Sequence, residues 1–291
     1  MPYVFVPVSM MASAQAPLDA IAGATAGYST RKLRAAYAGA CLRIRRSSDN
    51  TEQDIGFVGT LLDTAALLTF CGAGNGFVRT WYDQSGNVRH LGNTTQSAQP
   101  QLVASGAVIT SLAGQPSLDF DGVNDVFVPD AGETLAQFLT ASAGTLATIF
   151  QIDTLTSDDA DPVEDQALWS GQNKDCLTTF HQTGSLIRSV NDDGAVDHTP
   201  QTVATVTPSL HVWRHGSGTL DCYLNSSTPS SVASGDSVSV STSFLVGAKF
   251  TANVYFDGQM AEMITYNTAL SSGDLDALAA AMVAPYGVSW S

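Results

Sequence analysis

The sequence predicts an all-β chain: a β-sandwich of jelly-roll type with an N-terminal arm and a short C-terminal helix. Three observations carry this. Short apolar runs recur from about position 77 of the 291 residues, with almost no helical spacing between them. Their punctuation is chemically explicit: Asn191-Asp192-Asp193-Gly194 and Gly216-Ser217-Gly218 offer the positive-φ positions that tight hairpins require. Charged residues make up only 13% of a chain rich in Gly, Ser, Thr and Ala, which suits strands and turns with a hydroxyl-rich surface.

Taken in order, Met1-Pro2-Tyr3-Val4-Phe5-Val6-Pro7-Val8 is apolar but has no basic leader, and Pro7 interrupts it. It reads either as an extended anchor that adds to another sheet, with Tyr3, Phe5 and Val6 as its contacts, or as a first strand of the domain. Residues 10–27 are Ala- and Gly-rich and read as a linker. The expected division is therefore an arm over 1–27 and a sandwich over 28–291, in an N-terminal part 28–103 and a main part 104–291.

A helix is expected at Ser29–Tyr37, with Ser29 as N-cap. Cys41–Arg45 alternates as a strand, Leu42 and Ile44 inward, and a second helical pattern covers Asp63–Phe70. Strands are expected at Phe77–Tyr82, Ser117–Phe120, Asp125–Val128, Thr145–Ile152, Gln166–Ser170, Cys176–Gln182 and Leu186–Asn191. More follow at Thr202–Val206, Leu210–His215, Leu220–Asn225, Ser237–Ser241, Phe244–Gly247 and Asn253–Tyr266. Ser271-Ser272-Gly273-Asp274 then caps a closing helix with Leu275, Leu278, Ala279 and Met282 on one face, stopped by Pro285.

Net charge is −15, which argues against binding a phosphate backbone, so no nucleic-acid partner is expected. The sign is uneven. Residues 1–46 hold Arg31, Lys32, Arg34, Arg43, Arg45 and Arg46 against a single acid, Asp19, while the remainder is strongly acidic. Arg31 and Arg34 would let the arm dock on a neighbouring copy. The favoured alternative is pairing within the chain, with Asp49, Glu52 and Asp54. No apolar run reaches the roughly 18 residues of a membrane span. Cys41, Cys71, Cys176 and Cys222 lack the spacing of a thiolate metal site; buried thiols are expected, with two long-range disulfides as the other option.

Two resemblances enter here. Leu118-Asp119-Phe120-Asp121-Gly122-Val123-Asn124-Asp125, Thr145–Ile152, Leu210-His211-Val212-Trp213, Leu220–Asn225 and Tyr255–Asn267, in that order, resemble the concanavalin-like, laminin-G-type sandwich. Tyr28–Leu33, Leu42–Asp49 and Thr80-Trp81-Tyr82-Asp83-Gln84-Ser85-Gly86-Asn87 resemble the N-terminal part of the α-L-arabinofuranosidase B catalytic domain, itself concanavalin-like. The same segment pair is similar to phage and prophage virion proteins, to which Ser47–Phe57 brings the chain closest.

The enzyme resemblance implies two carboxylates about 5 Å apart. It places the acid/base Asp near Val246-Gly247-Ala248-Lys249, where this chain has a lysine. It places the nucleophilic Glu near Ser170-Gly171-Gln172-Asn173-Lys174-Asp175, which has only a displaced Asp175. The expectation is therefore no catalytic residue: a non-enzymatic phage virion surface protein, a head decoration, fibre or tail component displayed on the particle after synthesis in the host cytoplasm. It would form a homo-oligomer, contact other virion proteins and engage host polysaccharide. The alternatives are a secreted glycoside hydrolase and a purely structural cement protein.

Candidate ligand residues are Trp81, Asp83 and Asn87 in one oxygen-rich turn and Asp121 and Asp125 in another. A structural Asx turn is the favoured role of the first. No cofactor or dedicated metal site is expected, with calcium the cation that such oxygens would suit. Glu262 is expected to be a structural residue near the core edge.

Overall fold

A computed structural model describes residues 15–155, 166–171, 177–182, 185–190, 201–234, 240, 243–249 and 254–291. The anchor residues Tyr3, Phe5 and Val6, the turn at 191–194 and Asp175 lie outside the described residues, as does most of the strand expected at Ser237–Ser241.

The stretch read as a linker begins the core instead. Pro17–Ala20 forms a helical turn, α1, and Ala24–Ser29 forms β1, with all six residues buried. A strand buried on both faces shows no alternation, which is why its pattern resembled a linker. Its small residues are a packing requirement: a Cβ at Gly27 would sit 3.0 Å from a Leu18 methyl. The helix expected at Ser29–Tyr37 does not form, because Ser29 ends β1. Its hydroxyl donates to Glu262 and accepts from the Arg31 backbone N–H, so it caps a turn rather than a helix.

The following elements are β2 (Leu42–Arg46), β3 (Glu52–Ile55), α2 (Thr64–Cys71), β4 (Gly76–Trp81), β5 (Gln101–Ala104), β6 (Leu118–Asp121) and β7 (Gly144–Ile152). Asp63 caps α2 by accepting from the Ala66 N–H at 2.9 Å. Then come β8 (Gln166–Gly171), β9 (Leu177–His181), β10 (Leu186–Val190), β11 (Ser209–Gly216), β12 (Thr219–Leu224), β13 (Phe244–Val246), β14 (Asp257–Tyr266) and α3 (Ser272–Val283).

Strand β14 organises the larger sheet. One edge pairs with β7 along nearly its whole length, and the other takes β6 over its first half and β1 over its second. From there the sheet runs through β5 and β4 on one side, and through β11 and β12 on the other. The smaller sheet has the order Gln201–Thr202, β10, β9, β8, β13. The two sheets face each other across aromatic contacts. Trp169 of β8 lies edge-on to Trp213 of β11 at 5.6 Å, and Phe180 of β9 packs on Phe150 of β7 at 5.4 Å. Each such side chain, fully buried, contributes roughly 2–3 kcal/mol. Helix α3, capped by Ser271, covers the outer face of the larger sheet, with Leu275, Leu278 and Met282 packed in one cluster with Ile149, Leu210 and Ile264. The chain is an all-β, concanavalin-like sandwich with a short C-terminal helix.

The basic N-terminal residues find their partners inside the chain. Arg43 pairs with Asp54 at 2.7 Å and Arg46 with Asp49 at 2.6 Å, both near the surface. Arg31 is not a docking residue. Its guanidinium grips the fully buried Glu262 through two contacts, at 2.9 and 3.0 Å, and also donates to the Ala281 carbonyl. Ser29 and Tyr286 add hydroxyl donors to the same carboxylate. Burial pushes the Glu262 pKa up and Arg31 opposes it. This cluster ties β1, β14 and the turn after α3 together. Arg34 is partly buried. Cys41, Cys71 and Cys222 are buried free thiols, while Cys176 lies outside the described residues.

Candidate functional site

The turn after β4 carries the sharpest motif, and it is a fastener. Asp83 Oδ1 accepts from the N–H groups of Gly27 and Ser85, and Oδ2 accepts from Ser85 Oγ and the Arg89 N–H. Gln84 donates to the carbonyls of Ser29 and Arg31 and accepts from the Leu33 N–H, while Asn87 donates to the carbonyls of Ala24 and Thr25. Every one of these bonds stitches the turn to itself or to β1 and the chain beside it. Trp81 is fully buried between Tyr28 and Phe127. A carboxylate with its lone pairs spent inside, 2% exposed, has none left for a cation or sugar. The ligand role expected of Trp81, Asp83 and Asn87 is therefore corrected to a structural one.

The second oxygen-rich turn behaves differently. Asp121 Oδ1 accepts from the N–H groups of Val123 and Asn124, and Asp125 Oδ2 accepts from the Asp121 N–H. Both line a cleft of about 160 Å³ together with Asp119, Gln99, Gln101 and Phe77. Burial pushes Asp125 up to about 7, with the negative charges of Asp121 and Asp119 adding to it. Asp119 is also raised by burial, against the pull of its hydrogen bond from Gln259. Among the described residues no group of three or more carboxylates, histidines or thiols is arranged to hold a metal ion.

Asp119 belongs to a row that sequence reasoning missed. Gln101 of β5 stands opposite Asp119 of β6, which stands opposite Gln259 of β14, which stands opposite Gln151 of β7. Gln259 donates to Asp119 at 2.7 Å and to Asp153 at 2.6 Å. In the sequence Asp119 is visible only as the polar residue alternating with buried Leu118 and Phe120; the partners lie up to 140 positions away.

A third place combines the two segments that the enzyme resemblance singled out. Trp169 of β8 pairs with Val246 of β13, the Gly247 N–H donates to the Leu168 carbonyl at 2.9 Å, and Ser170 Oγ donates to the Ala248 carbonyl at 3.0 Å. Gly247 has φ +85°, and a Cβ there would meet the Phe120 ring at 2.3 Å, so only glycine fits. The segments 168–171 and 246–249 are thus side by side. Lys249 is buried there.

A Ser–His pair also exists, between the sheets. Ser189 Oγ lies 3.1 Å from His211 Nε2, which lies 3.3 Å from Cys222 Sγ. These are the residue types of a nucleophile and base, but all three are fully buried, and burial pushes the Cys222 thiol up to about 12. No substrate reaches them, so the cluster is core.

The description "Alpha-L-arabinofuranosidase B, catalytic" matches residues 7–131. No curated protein sequence matches. A GH54 α-L-arabinofuranosidase mutant soaked with 4-nitrophenyl α-L-arabinofuranoside superposes with a TM-score of 0.72 at 15% identity, over 94% of this chain and 66% of that one. The chain has the fold of these enzymes. An arabinofuranosidase complexed with arabinofuranosyl-α-1,2-xylobiose gives 0.68 at 16% identity, over 94% and 65%. The chain thus spans just under two thirds of the length of these structures.

These matches correct the expectation of a non-enzymatic phage virion protein. The family description is that of an arabinofuranosidase catalytic domain, and the superposed structures are arabinofuranosidases. That expectation rests on missing carboxylates at Lys249 and around Ser170–Asp175. Catalytic side chains in such folds sit on loops, where register by sequence is weakest.

Proposed function

We propose that the chain is a glycoside hydrolase domain of the α-L-arabinofuranosidase type. One observation carries this: the match to the catalytic description over 7–131 continues as a superposition over 94% of the chain. The adjacency of 168–171 and 246–249 supports it, since the two segments that the resemblance assigns to the reaction meet at one end of the smaller sheet.

Glycoside hydrolysis of this kind uses two carboxyl groups. A separation of about 5 Å gives a covalent intermediate and retention, and a wider gap admits water and gives inversion. Gly171 ends β8, and Val190 of β10 pairs with Leu177 at the start of β9. In sequence Asp175, Asp192 and Asp193 follow these strands, outside the described residues, and they are the carboxylates to test. Such chemistry requires no cofactor.

The test replaces each carboxylate singly, as Asp175→Asn, Asp192→Asn and Asp193→Asn, and follows release of 4-nitrophenol from 4-nitrophenyl α-L-arabinofuranoside. Removal of a nucleophile or acid/base should lower kcat by roughly 100-fold or more with the fold intact. If the wild type turns over and all three variants keep its rate, the carboxylates lie elsewhere and this placement of the site is wrong.

A further inference from the structure

We propose that the apolar N-terminal segment, residues 3–8, covers an exposed hairpin of its own domain, Phe57–Val58 with Leu61–Leu62, by adding to its open edge. A half-buried antiparallel ribbon ordinarily turns polar residues to water. The inner pair of this hairpin conforms, since Leu62 is buried and Phe57 packs against the core. The outer pair does not. Val58 and Leu61 stand directly opposite each other, 65% and 58% exposed. Tyr37 lies edge-on to Phe57 at 6.2 Å, and the exposed Ala35, Ala36 and Ala38 flank that tyrosine in sequence. Contiguous apolar surface of this kind marks a contact site.

The place where the chain enters the described fold decides the occupant. The Leu18 N–H donates to the Leu33 carbonyl at 2.9 Å, and Asp19 accepts from the Ala35 N–H at 2.8 Å. The chain therefore enters against residues 33–35. Next along that strip, the Lys32 N–H donates to the Thr60 carbonyl of the hairpin at 2.8 Å. Entry point and hairpin are thus about two strand spacings apart, roughly 10 Å. The stretch from Val8 to Ala16 reaches up to about 27 Å when extended, so residues 3–8 can lie along the hairpin.

Edge and sequence match. Phe57 and Val58 pair with Leu62 and Leu61 on one side, and among the described residues no strand pairs on the other. Such an edge is a template for an extended segment. Residues 1–15 hold no charged side chain, and Tyr3-Val4-Phe5-Val6 consists of aromatic and β-branched residues that favour strands. Pro7, which has no N–H to donate, is compatible with an edge strand. Two other occupants fit less well. An anionic partner would meet Lys32, whose ammonium sits over the Phe57 ring at 5.7 Å, and the partly buried Arg34. A second copy would compete with a tethered segment whose effective concentration is on the order of millimolar.

The contact is independent of the reaction proposed above, so hydrogen–deuterium exchange of the full chain, read by mass spectrometry, tests it without turnover. A synthetic peptide of residues 1–15 is the unprotected reference. Amides of residues 3–6 should exchange at least roughly tenfold more slowly in the protein than in the peptide. Leu61→Asp, at an exposed position, should abolish that protection, and Phe5→Asp should speed exchange of residues 57–62 by a similar factor. Val206→Asp, at an exposed valine elsewhere, should change neither. The proposal fails if residues 3–6 exchange at the peptide's rate, if Leu61→Asp leaves their protection intact, or if Val206→Asp abolishes it equally. It also fails if protection falls on dilution, which would assign the segment to a second copy.

Discussion

Two turns of this molecule have nearly the same composition and opposite roles. Asp83-Gln84-Ser85-Gly86-Asn87 and Asp121-Gly122-Val123-Asn124-Asp125 each place an Asp and an Asn within five residues. Both make short-range Asx-type bonds, from Ser85 N–H to Asp83 and from Val123 N–H to Asp121. What separates them is distant in sequence. The first turn meets β1 some 56 to 63 positions earlier and exhausts its polar atoms there. The second makes its side-chain bonds within itself, meets the chain before β14 through the Gly122 N–H on the Phe256 carbonyl, and lines a cleft. The same oxygen-rich composition makes a knot in one place and a cleft wall in the other.

The comparison can be broken by mutation. Asp83→Ala strips four hydrogen bonds from a buried knot and leaves the Gly27, Ser85 and Arg89 N–H groups without their acceptor. It should cost on the order of 3–5 kcal/mol in urea unfolding at neutral pH. A loss under 1 kcal/mol would mean that the knot does not hold β1.

Asp125→Asn should act with the opposite sign. The Asp125 carboxyl, raised to about 7 in the fold, binds a proton there more tightly than in the unfolded chain, near 3.9. The native state therefore loses stability as pH rises from about 4 to about 7, because the unfolded chain ionises first and the buried carboxylate is unfavourable. The asparagine removes that loss. Relative to wild type it should be more stable by on the order of 2–4 kcal/mol at pH 8, with the advantage disappearing at pH 4. Equal stabilities at both pH values would show that Asp125 titrates normally.

Smaller effects sharpen the contrast. Asn87→Ala removes two bonds to β1 carbonyls and should cost about 1–2 kcal/mol. Arg43→Ala breaks a surface pair with Asp54 and should cost at most about 0.5 kcal/mol, falling further in high salt. A larger loss at Arg43 than at Asn87 would invert the ranking that burial implies.

Much of the fold was legible from residue type: Leu42 and Ile44 alternate inward from β2, and β7, β11 and β12, though mostly buried throughout, begin and end within a residue or so of runs rich in branched and aromatic residues. Strand β1 was not legible, since Ala, Thr and Gly in a strand buried on both faces carry no period. The helix expected after Ser29 failed for a tertiary reason: Glu262, more than 230 positions away, claims both the Ser29 hydroxyl and Arg31. The candidate sites divide likewise. Asp121 and Asp125 could be picked out from a local motif, whereas Gln101, Gln151 and Gln259 become a row only through cross-strand register. The proposed reaction site rests on two segments whose meeting is a matter of pairing between β8 and β13, not of sequence distance.

The central claim is that this sandwich hydrolyses an arabinofuranosyl bond. Its most direct test is the steady-state rate of 4-nitrophenol release from 4-nitrophenyl α-L-arabinofuranoside by the purified wild-type chain, compared with the same protein heat-denatured. The account predicts saturable turnover with a bell-shaped pH dependence, as a carboxylate pair requires. Release no faster than with the denatured sample across pH 4–8 would contradict it.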